Sequence, residues 1–211
     1  LSAAIALRQA GLDVDIFESA EALREVGAGL SLWANAIRAL DDLGLGGGIR
    51  AASVSYDVGG LRTWDGRVLA SASTEQLTRL FGLPVIVMHR ADLLAALSSA
   101  VPPGVVRLGA RCTSIHQHAD AVEVELADGT RVRGDLAIGA DGLLSVVRSA
   151  LHGHQPPRYA GCTAWRAIVP FDVRAIRASE TWGDGYLFGQ VPIAGNRVYW
   201  YAARNQPQGQ R

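Results

Sequence analysis

The stretch Ser2-Ala-Ala-Ile-Ala-Leu-Arg-Gln-Ala-Gly-Leu-Asp-Val-Asp-Ile-Phe-Glu18 decides the fold class. Residues 1 to 10 are apolar all round except Ser2, Arg8 and Gln9, as suits a buried helix, and Gly11 supplies the residue that stops it. Val14 to Glu18 then reads as a short buried strand. Helix, tight turn and strand make an α/β unit. In a dinucleotide-binding unit of this kind a strand-end carboxylate accepts from a ribose hydroxyl, about 20 residues beyond the glycines that cradle the pyrophosphate. Counting back from Glu18 puts those glycines before Leu1, so the chain reads as a fragment that opens inside a structural element. A solvated strand-end carboxylate would look the same at this single position.

Composition narrows the function classes. The 211 residues are 49% hydrophobic and 19% charged, which excludes a chain disordered throughout. Twenty basic and twenty acidic side chains cancel, so no long-range field favours nucleic acid or an anionic membrane. All twenty basic residues are Arg, a coding bias that weakens any argument from one Arg alone. Cys112 and Cys162 form no CxxC or Cys/His cluster, so neither a disulfide framework nor a metal site is expected, and a reducing cytoplasm is the expected compartment. The longest apolar runs, such as Leu83 to Met88, are about a third of the roughly 20 residues that span a bilayer, so no membrane helix is expected.

Outward from the first unit, Ala34 to Leu43 places Ile37, Leu40 and Leu43 on one helical face, with Gly44 beyond its end. Residues 52 to 72 turn to β patterning, with Asp65-Gly66 as a type I′ hairpin turn. Pro84 to Met88 reads as a strand, and a helix follows from His89-Arg90 until Pro102-Pro103-Gly104. Val105 to Leu108 and Cys112 to His118 are expected strands. Val122, Val124 and Leu126 alternate with Glu123 and Glu125 before an Asp128-Gly129 hairpin turn. Leu136 to Gly139 reads as a buried strand that delivers the chain into Asp141-Gly142, and Leu143 to Leu151 as a helix. After Pro157 aromatic and β-branched runs take over, so a sheet-rich region is expected from 158 to 211 after a first domain of 1 to 157.

Three blocks carry a resemblance. They are the opening stretch with Glu25-Val-Gly-Ala-Gly-Leu-Ser31 and Asn35-Ala36; Arg90-Ala-Asp-Leu at a helix start; and Gly134-Asp-Leu-Ala-Ile-Gly-Ala-Asp141-Gly142-Leu-Leu-Ser145-Val-Val-Arg148. Together with Arg158-Tyr-Ala-Gly161 and Trp165, they resemble the class A FAD-dependent aromatic hydroxylases, among them p-hydroxybenzoate, salicylate and urate hydroxylases. The resemblance implies an α/β fold with a truncated, Rossmann-like FAD-binding domain and a β-sheet-rich substrate domain, as in p-hydroxybenzoate hydroxylase. It implies FAD as cofactor, NAD(P)H as co-substrate, and transfer of one oxygen from O2 to a small aromatic or heteroaromatic ring.

By the same resemblance Glu18 binds the adenosine ribose, Ser19 and Ser31 lie near the cofactor, and Arg90 approaches the pyrophosphate. Cys112 meets adenine through its backbone, its thiol reading equally as a small core group. Asp141 and Gly142 order the pyrophosphate region or the nicotinamide, with Arg148 holding that turn; an ordinary tight turn is the alternative. The family's glycine fingerprint and its later ribityl-contacting motif fall outside residues 1 to 211, so this polypeptide is expected to hold FAD weakly or not at all.

Because the cofactor performs the hard step, no side-chain nucleophile is expected. Ser145 lacks a G-x-S-x-G setting and reads as a helix-start hydroxyl. The pairs His116/His118 and His152/His154 read as solvated positions. Trp165, Tyr199, Trp200 and Tyr201 are candidates for an aromatic pocket, half of them on each side of a strand, and Arg197 for pairing with a substrate anion. Two alternatives stand beside the hydroxylase: a reductase or halogenase on the same fold, and a non-enzymatic truncated product without flavin. Oligomeric state is not legible.

Overall fold

The computed structural model describes residues 1–23, 28–55 and 58–210. Glu25, Val26 and Gly27 of the second motif and residues 56–57 of the expected β stretch lie outside them. The first half of the chain runs α1 (Ser2–Gln9), β1 (Ile16–Phe17), β2 (Gly29–Leu32), α2 (Ala34–Asp42), α3 (Gly46–Ala51), β3 (Val58–Thr63), β4 (Val68–Ala72), α4 (Thr74–Phe81), β5 (Ile86–His89) and α5 (Arg90–Ser99). It continues through β6 (Val106–Arg107), β7 (Cys112–Gln117), β8 (Val122–Leu126), β9 (Arg131–Gly134), α6 (Val146–His152), β10 (Cys162–Pro170), β11 (Ala178–Trp182), β12 (Tyr186–Ile193) and β13 (Arg197–Asn205). The expected α/β class holds.

Two compact units share the chain. One comprises Leu1–Ala6, Arg24–Ala100 and Gly161–Arg211, the other Leu7–Leu23 and Val101–Ala160. In the first, β2 and β5 pair antiparallel, and a six-stranded sheet runs in the order β10-β13-β12-β11-β3-β4. The hairpin from 58 to 72 thus joins the sheet built by the C-terminal strands, β3 lying parallel to β11. Leu30 and Leu32 on β2 and Ile86 and Met88 on β5 meet Ile37 and Leu40 of α2 and Ile49 of α3 in the core of this unit. Period-3.6 and period-2 patterns therefore converge on one apolar cluster.

Helix α3 forms in spite of Gly46, Gly47 and Gly48, which would each cost about 1 kcal/mol relative to Ala. Ile49, 1% exposed, docks it in the core, and Arg50 pairs with Asp41 of α2 at 2.6 Å. A side chain at Gly46 would overlap the Asp41 carboxylate, an added Cβ lying 1.7 Å from Oδ1. Packing here overrides propensity.

In the second unit β1 pairs parallel with β6, and β7, β8 and β9 form an antiparallel meander. β1 is shorter than expected and only half-buried. Two further expectations are corrected. Residues 136–139 form no strand: Leu136 is 74% and Ile138 53% exposed, and among the described residues they pair with no strand. The next helix begins at Val146, not Leu143, because Ser145 caps it by accepting from the Arg148 N–H at 2.9 Å. Leu143 and Leu144 are left exposed.

The Asp65-Gly66 turn is also not type I′, which needs positive φ at both central residues. Only Gly66 has it, at φ 90°, and among the described non-glycine residues positive φ occurs at Asn196 alone. Gly66 N–H donates to Thr63 O and Thr63 N–H to Arg67 O, the pattern of a type I turn closed by a glycine bulge. Gly129 and the bonds joining Leu126 to Gly129 and Thr130 repeat this arrangement.

Candidate functional site

The predicted site residues fall into two groups, one in each unit. In the second unit Glu18 follows β1 and is locked in place by backbone bonds on both sides, its N–H donating to Arg107 O and its carbonyl accepting from Ala110 N–H. Its Oε1 accepts from the Ala20 N–H at 2.8 Å and the Ser19 hydroxyl at 3.3 Å. Oε2 makes no hydrogen bond among the described residues, so one acceptor oxygen stands open at the carboxyl end of a parallel strand, where α/β sheets bind ligands.

Cys112 opens β7, half-buried, its thiol directed to the Ser114 carbonyl. Burial pushes this thiol up, and the negative charge of Asp141 adds to the shift. The structure thus brings Cys112 and Asp141 into one electrostatic neighbourhood, although 29 positions separate them in the chain. Such a thiol is a poor nucleophile, which suits the packing role.

Asp141 is tied to the start of α6. Its Oδ1 accepts from the Ser145 hydroxyl and its Oδ2 from the Val146 N–H, both at 2.6 Å, with the Val147 N–H at 3.2 Å. Burial acts to raise this carboxyl, but the bonds from Ser145, Val147 and Val146 together outweigh it and hold Asp141 below the usual carboxylate range. Gly142 has φ 80°, a conformation that suits glycine. The Arg148 guanidinium donates to the Gly142 and Leu143 carbonyls, so it clasps the turn. All the acceptor capacity observed on Asp141 is turned toward α6.

A stability prediction follows. Because the folded pKa of Asp141 lies below its unfolded value, its contribution is full above the unfolded pKa and lost as pH falls through the folded one. Asp141→Asn is expected to cost about 1 kcal/mol at neutral pH, the weight of a helix cap. Urea denaturation of both proteins should show the gap narrowing as pH drops below the ordinary carboxylate value of 3.8.

In the first unit Gly29 and Ser31 share one face of β2, opposite the core-facing Leu30 and Leu32, and Ser31 is exposed. Arg90 begins α5, its backbone N–H bonded to Ala28 O. The Arg90 side chain is exposed and makes no hydrogen bond or ion pair among the described residues.

Register then sorts the aromatic candidates. Arg197, Tyr199 and Tyr201 lie on one face of β13, and Trp200 lies on the other with Trp165. The division by strand alternation is the expected one. Arg197 donates from Nε to Ala194 O at 2.9 Å, and its NH2 group lies 3.8 Å from Asp92 on α5. Asp92 also faces the buried His89 at 3.9 Å. Tyr199 and Tyr201 stack with centroids 5.5 Å apart. Tyr199 lies against Gly29, where an added Cβ would sit 2.5 Å from the ring.

Residues not singled out from the sequence complete this face. Tyr201 donates its hydroxyl to Glu180 Oε2 at 2.6 Å, and Trp182 Nε1 donates to Oε1 at 2.5 Å. Tyr201 reaches Glu180 by lying across β12 at Gly189, where an added Cβ would be 2.0 Å from the ring. The sequence signal was available: Tyr199/Tyr201 and Glu180/Trp182 are both i, i+2 pairs in β runs.

The opposite face, away from Tyr201, carries a cavity of about 650 Å³ lined by Trp64, Trp165, Tyr186 and Phe188. It holds none of Arg197, Tyr199 and Tyr201. In the second unit a smaller cavity of about 230 Å³ opens beside Gly139, Ser145 and Arg148. Among the described residues no group of three or more His, Cys, Asp or Glu side chains is gathered for a metal. The His116 ring lies with Nε2 3.2 Å from Ser114 Oγ. Among the described residues no helix is long and apolar enough to cross a membrane.

A family model described as FAD binding domain matches residues 1–187. The chain belongs to this family. Proteins that it resembles include the aurachin C monooxygenase/isomerase of Stigmatella aurantiaca, 38% identical over 99% of this chain and 55% of that protein. The 3-amino-4-hydroxybenzoate 2-monooxygenase of Streptomyces cremeus is 37% identical over 96% of this chain and 53% of that protein. The crystal structure of Klebsiella pneumoniae HpxO with FAD and uric acid superposes with a TM-score of 0.88 at 29% identity, covering 99% of this chain and 54% of that one. The chain spans about half the length of the curated relatives it matches. The resemblance to the class A FAD-dependent aromatic hydroxylases holds.

Proposed function

We propose that the chain forms part of a flavin-dependent monooxygenase that hydroxylates a small aromatic or heteroaromatic substrate with FAD, NAD(P)H and O2. The observation that carries this reading is the open strand-end acceptor of Glu18 in one unit of a member of the FAD-binding-domain family; in the other unit, taken by itself, Arg90 presents an exposed guanidinium with no side-chain partner among the described residues. A ribose needs the first and a pyrophosphate the second. The donor set therefore fits FAD. When bound, the flavin supplies the redox chemistry that activates oxygen for the ring.

The chain's own residues bind and orient. Glu18 accepts from the adenosine ribose, with Ser19 beside it; Arg90 pairs with pyrophosphate oxygens and Ser31 lines the cofactor side of β2. Cys112 flanks adenine with its backbone, and Asp141, Gly142 and Arg148 fix the turn before α6 near the pyrophosphate. On the sheet, Arg197 holds an anionic substituent of the substrate and Tyr199 forms an aromatic wall. That face is preferred because Tyr199 packs on Gly29, whose face of β2 also carries Ser31; the opposite face has its own cation and stacked aromatics, Arg204 over Tyr186 beside Phe188 and Trp200. The names of the relatives, an aminohydroxybenzoate monooxygenase and a uric acid complex, support a small ring as substrate.

Titrating FAD into the purified chain and following flavin fluorescence tests the cofactor part. Glu18→Ala and Arg90→Ala should each weaken binding about tenfold, the loss of one charge-assisted hydrogen bond. Identical titrations for wild type and both variants would sink the assignment.

A further inference from the structure

We propose that β10 is an interaction edge for a second copy of this chain, the two β10 strands pairing antiparallel about Trp165 so that two six-stranded sheets join into one. The inference stands apart from the cofactor and substrate readings.

β10 is the end strand of its sheet, and among the described residues it pairs with β13 alone. Alternation tells which of its backbone groups β13 uses. At one end of the ladder the Gly161 carbonyl accepts from the Gln206 N–H, and at the other the Phe171 N–H donates to the Asn196 carbonyl. In an antiparallel pair every second residue bonds across, so the odd-numbered residues between them bond to β13 and the even-numbered ones turn N–H and C=O outward. Cys162, Ala164, Arg166 and Ile168 thus present both groups at the free edge. Pro170, also outward, has no N–H to leave unpaired.

Sheet edges are ordinarily blunted by shortness, bulges or charge. The far edge of this sheet follows the rule: β4 has five residues, and its register with β3 shifts between Val58 and Leu61 and again between Leu61 and Arg62. β10 does not. It has nine residues, an unbroken register with β13 and a single charged side chain, Arg166.

One register of self-pairing satisfies the whole edge. With a two-fold axis at Trp165, Ala164 faces the partner's Arg166 and Cys162 the partner's Ile168, so every outward N–H in both copies meets an outward carbonyl. Trp165, 43% exposed, then meets its own copy at a position without mutual hydrogen bonds, where cross-strand side chains approach closest. An axis at Arg166 would instead oppose two guanidinium groups and set Cys162 against a proline. The net charge of zero adds no repulsion between copies. Because the two-fold uses the β10 edge of both copies and the β4 edge is bulged, the assembly closes as a dimer.

Sedimentation equilibrium of the whole 211-residue chain tests this: a dimer should form with a Kd on the order of 10 µM. Ala164→Pro removes an outward N–H without touching the β13 ladder, and should weaken dimerisation about tenfold or more. Amide hydrogen exchange needs no variant. The Cys162, Ala164, Arg166 and Ile168 amides should be protected in concentrated wild type and exposed in dilute. Cross-linking then reads the register: in a Cys162→Ser background, Trp165→Cys should give a disulfide-linked dimer on mild oxidation, and Arg166→Cys should not. A chain that stays monomeric at about 100 µM overturns the inference. So does a dimer in which those four amides exchange as fast as in the monomer, since it would use another surface, and so does cross-linking through Arg166→Cys.

Discussion

Gly189→Ala is expected to destabilise the chain by about 1–3 kcal/mol, the cost of inserting a methyl group into a packed site. The added carbon would lie 2.0 Å from a Tyr201 ring carbon and 2.5 Å from its hydroxyl oxygen, so the ring must lift. Lifting it breaks the bond to Glu180, and the stack on Tyr199 changes with it. Chemical denaturation measures the loss, and the Trp182 indole, bonded to the same carboxylate, should report it as a shift in emission. The control is the double variant. In a Tyr201→Ala background Gly189→Ala should be close to neutral, because the space is empty, and a cycle of the four proteins should give a coupling of the size of the single effect. Additive losses would show that the strain lies elsewhere in β12.

Met88→Ala is expected to cost more, about 2–5 kcal/mol. Met88 is 0% exposed at the centre of the cluster formed by β2, β5, α2 and α3. Its neighbours Leu32, Ile37 and Ile49 sit on three separate elements, which limits how far the cavity can collapse. The consequence reaches the candidate site, because β5 leads directly into Arg90 and pairs with the strand that carries Gly29 and Ser31. Thermal denaturation should show a lower midpoint, and FAD titration should show weaker binding even though Met88 touches none of the proposed ligand positions. Leu at the same site, of similar volume, should recover most of the stability.

How far the sequence foretold these features depends on how local their causes are. The 3.6-residue spacing of Ile37 and Leu40 and the glycine after residue 10 are local signals, and α2 and α1 stand where they were expected. Helix α4 also carries a local signal, the capping box of Ser73 and Gln76. Helix α3 could not be read locally, since three glycines argue against it and only Ile49 and the Arg50–Asp41 pair explain it. Residues 136–139 show the reverse failure: a strand pattern without a partner strand leaves apolar side chains in solvent.

At the candidate site the contrast is similar. Ser145 as a helix-start hydroxyl and Arg148 as the clasp of the Asp141-Gly142 turn depend on neighbours within seven residues. The Tyr201–Glu180 bond joins residues 21 apart across a third strand, and no spacing rule in a single sequence points to it. What did show was the alternation that puts Tyr199 and Tyr201 on one face.

Two tyrosines lying flat over two glycines also impose an order on change. While Tyr201 is present, any side chain gained at Gly189 is a damaging step; once the tyrosine has shrunk, the same step is harmless. The same holds for Tyr199 and Gly29. Lineages descending from this sequence can therefore leave the arrangement only through the aromatic partner first. A screen of random variants should recover substitutions at either glycine only in chains that have already lost the ring above it.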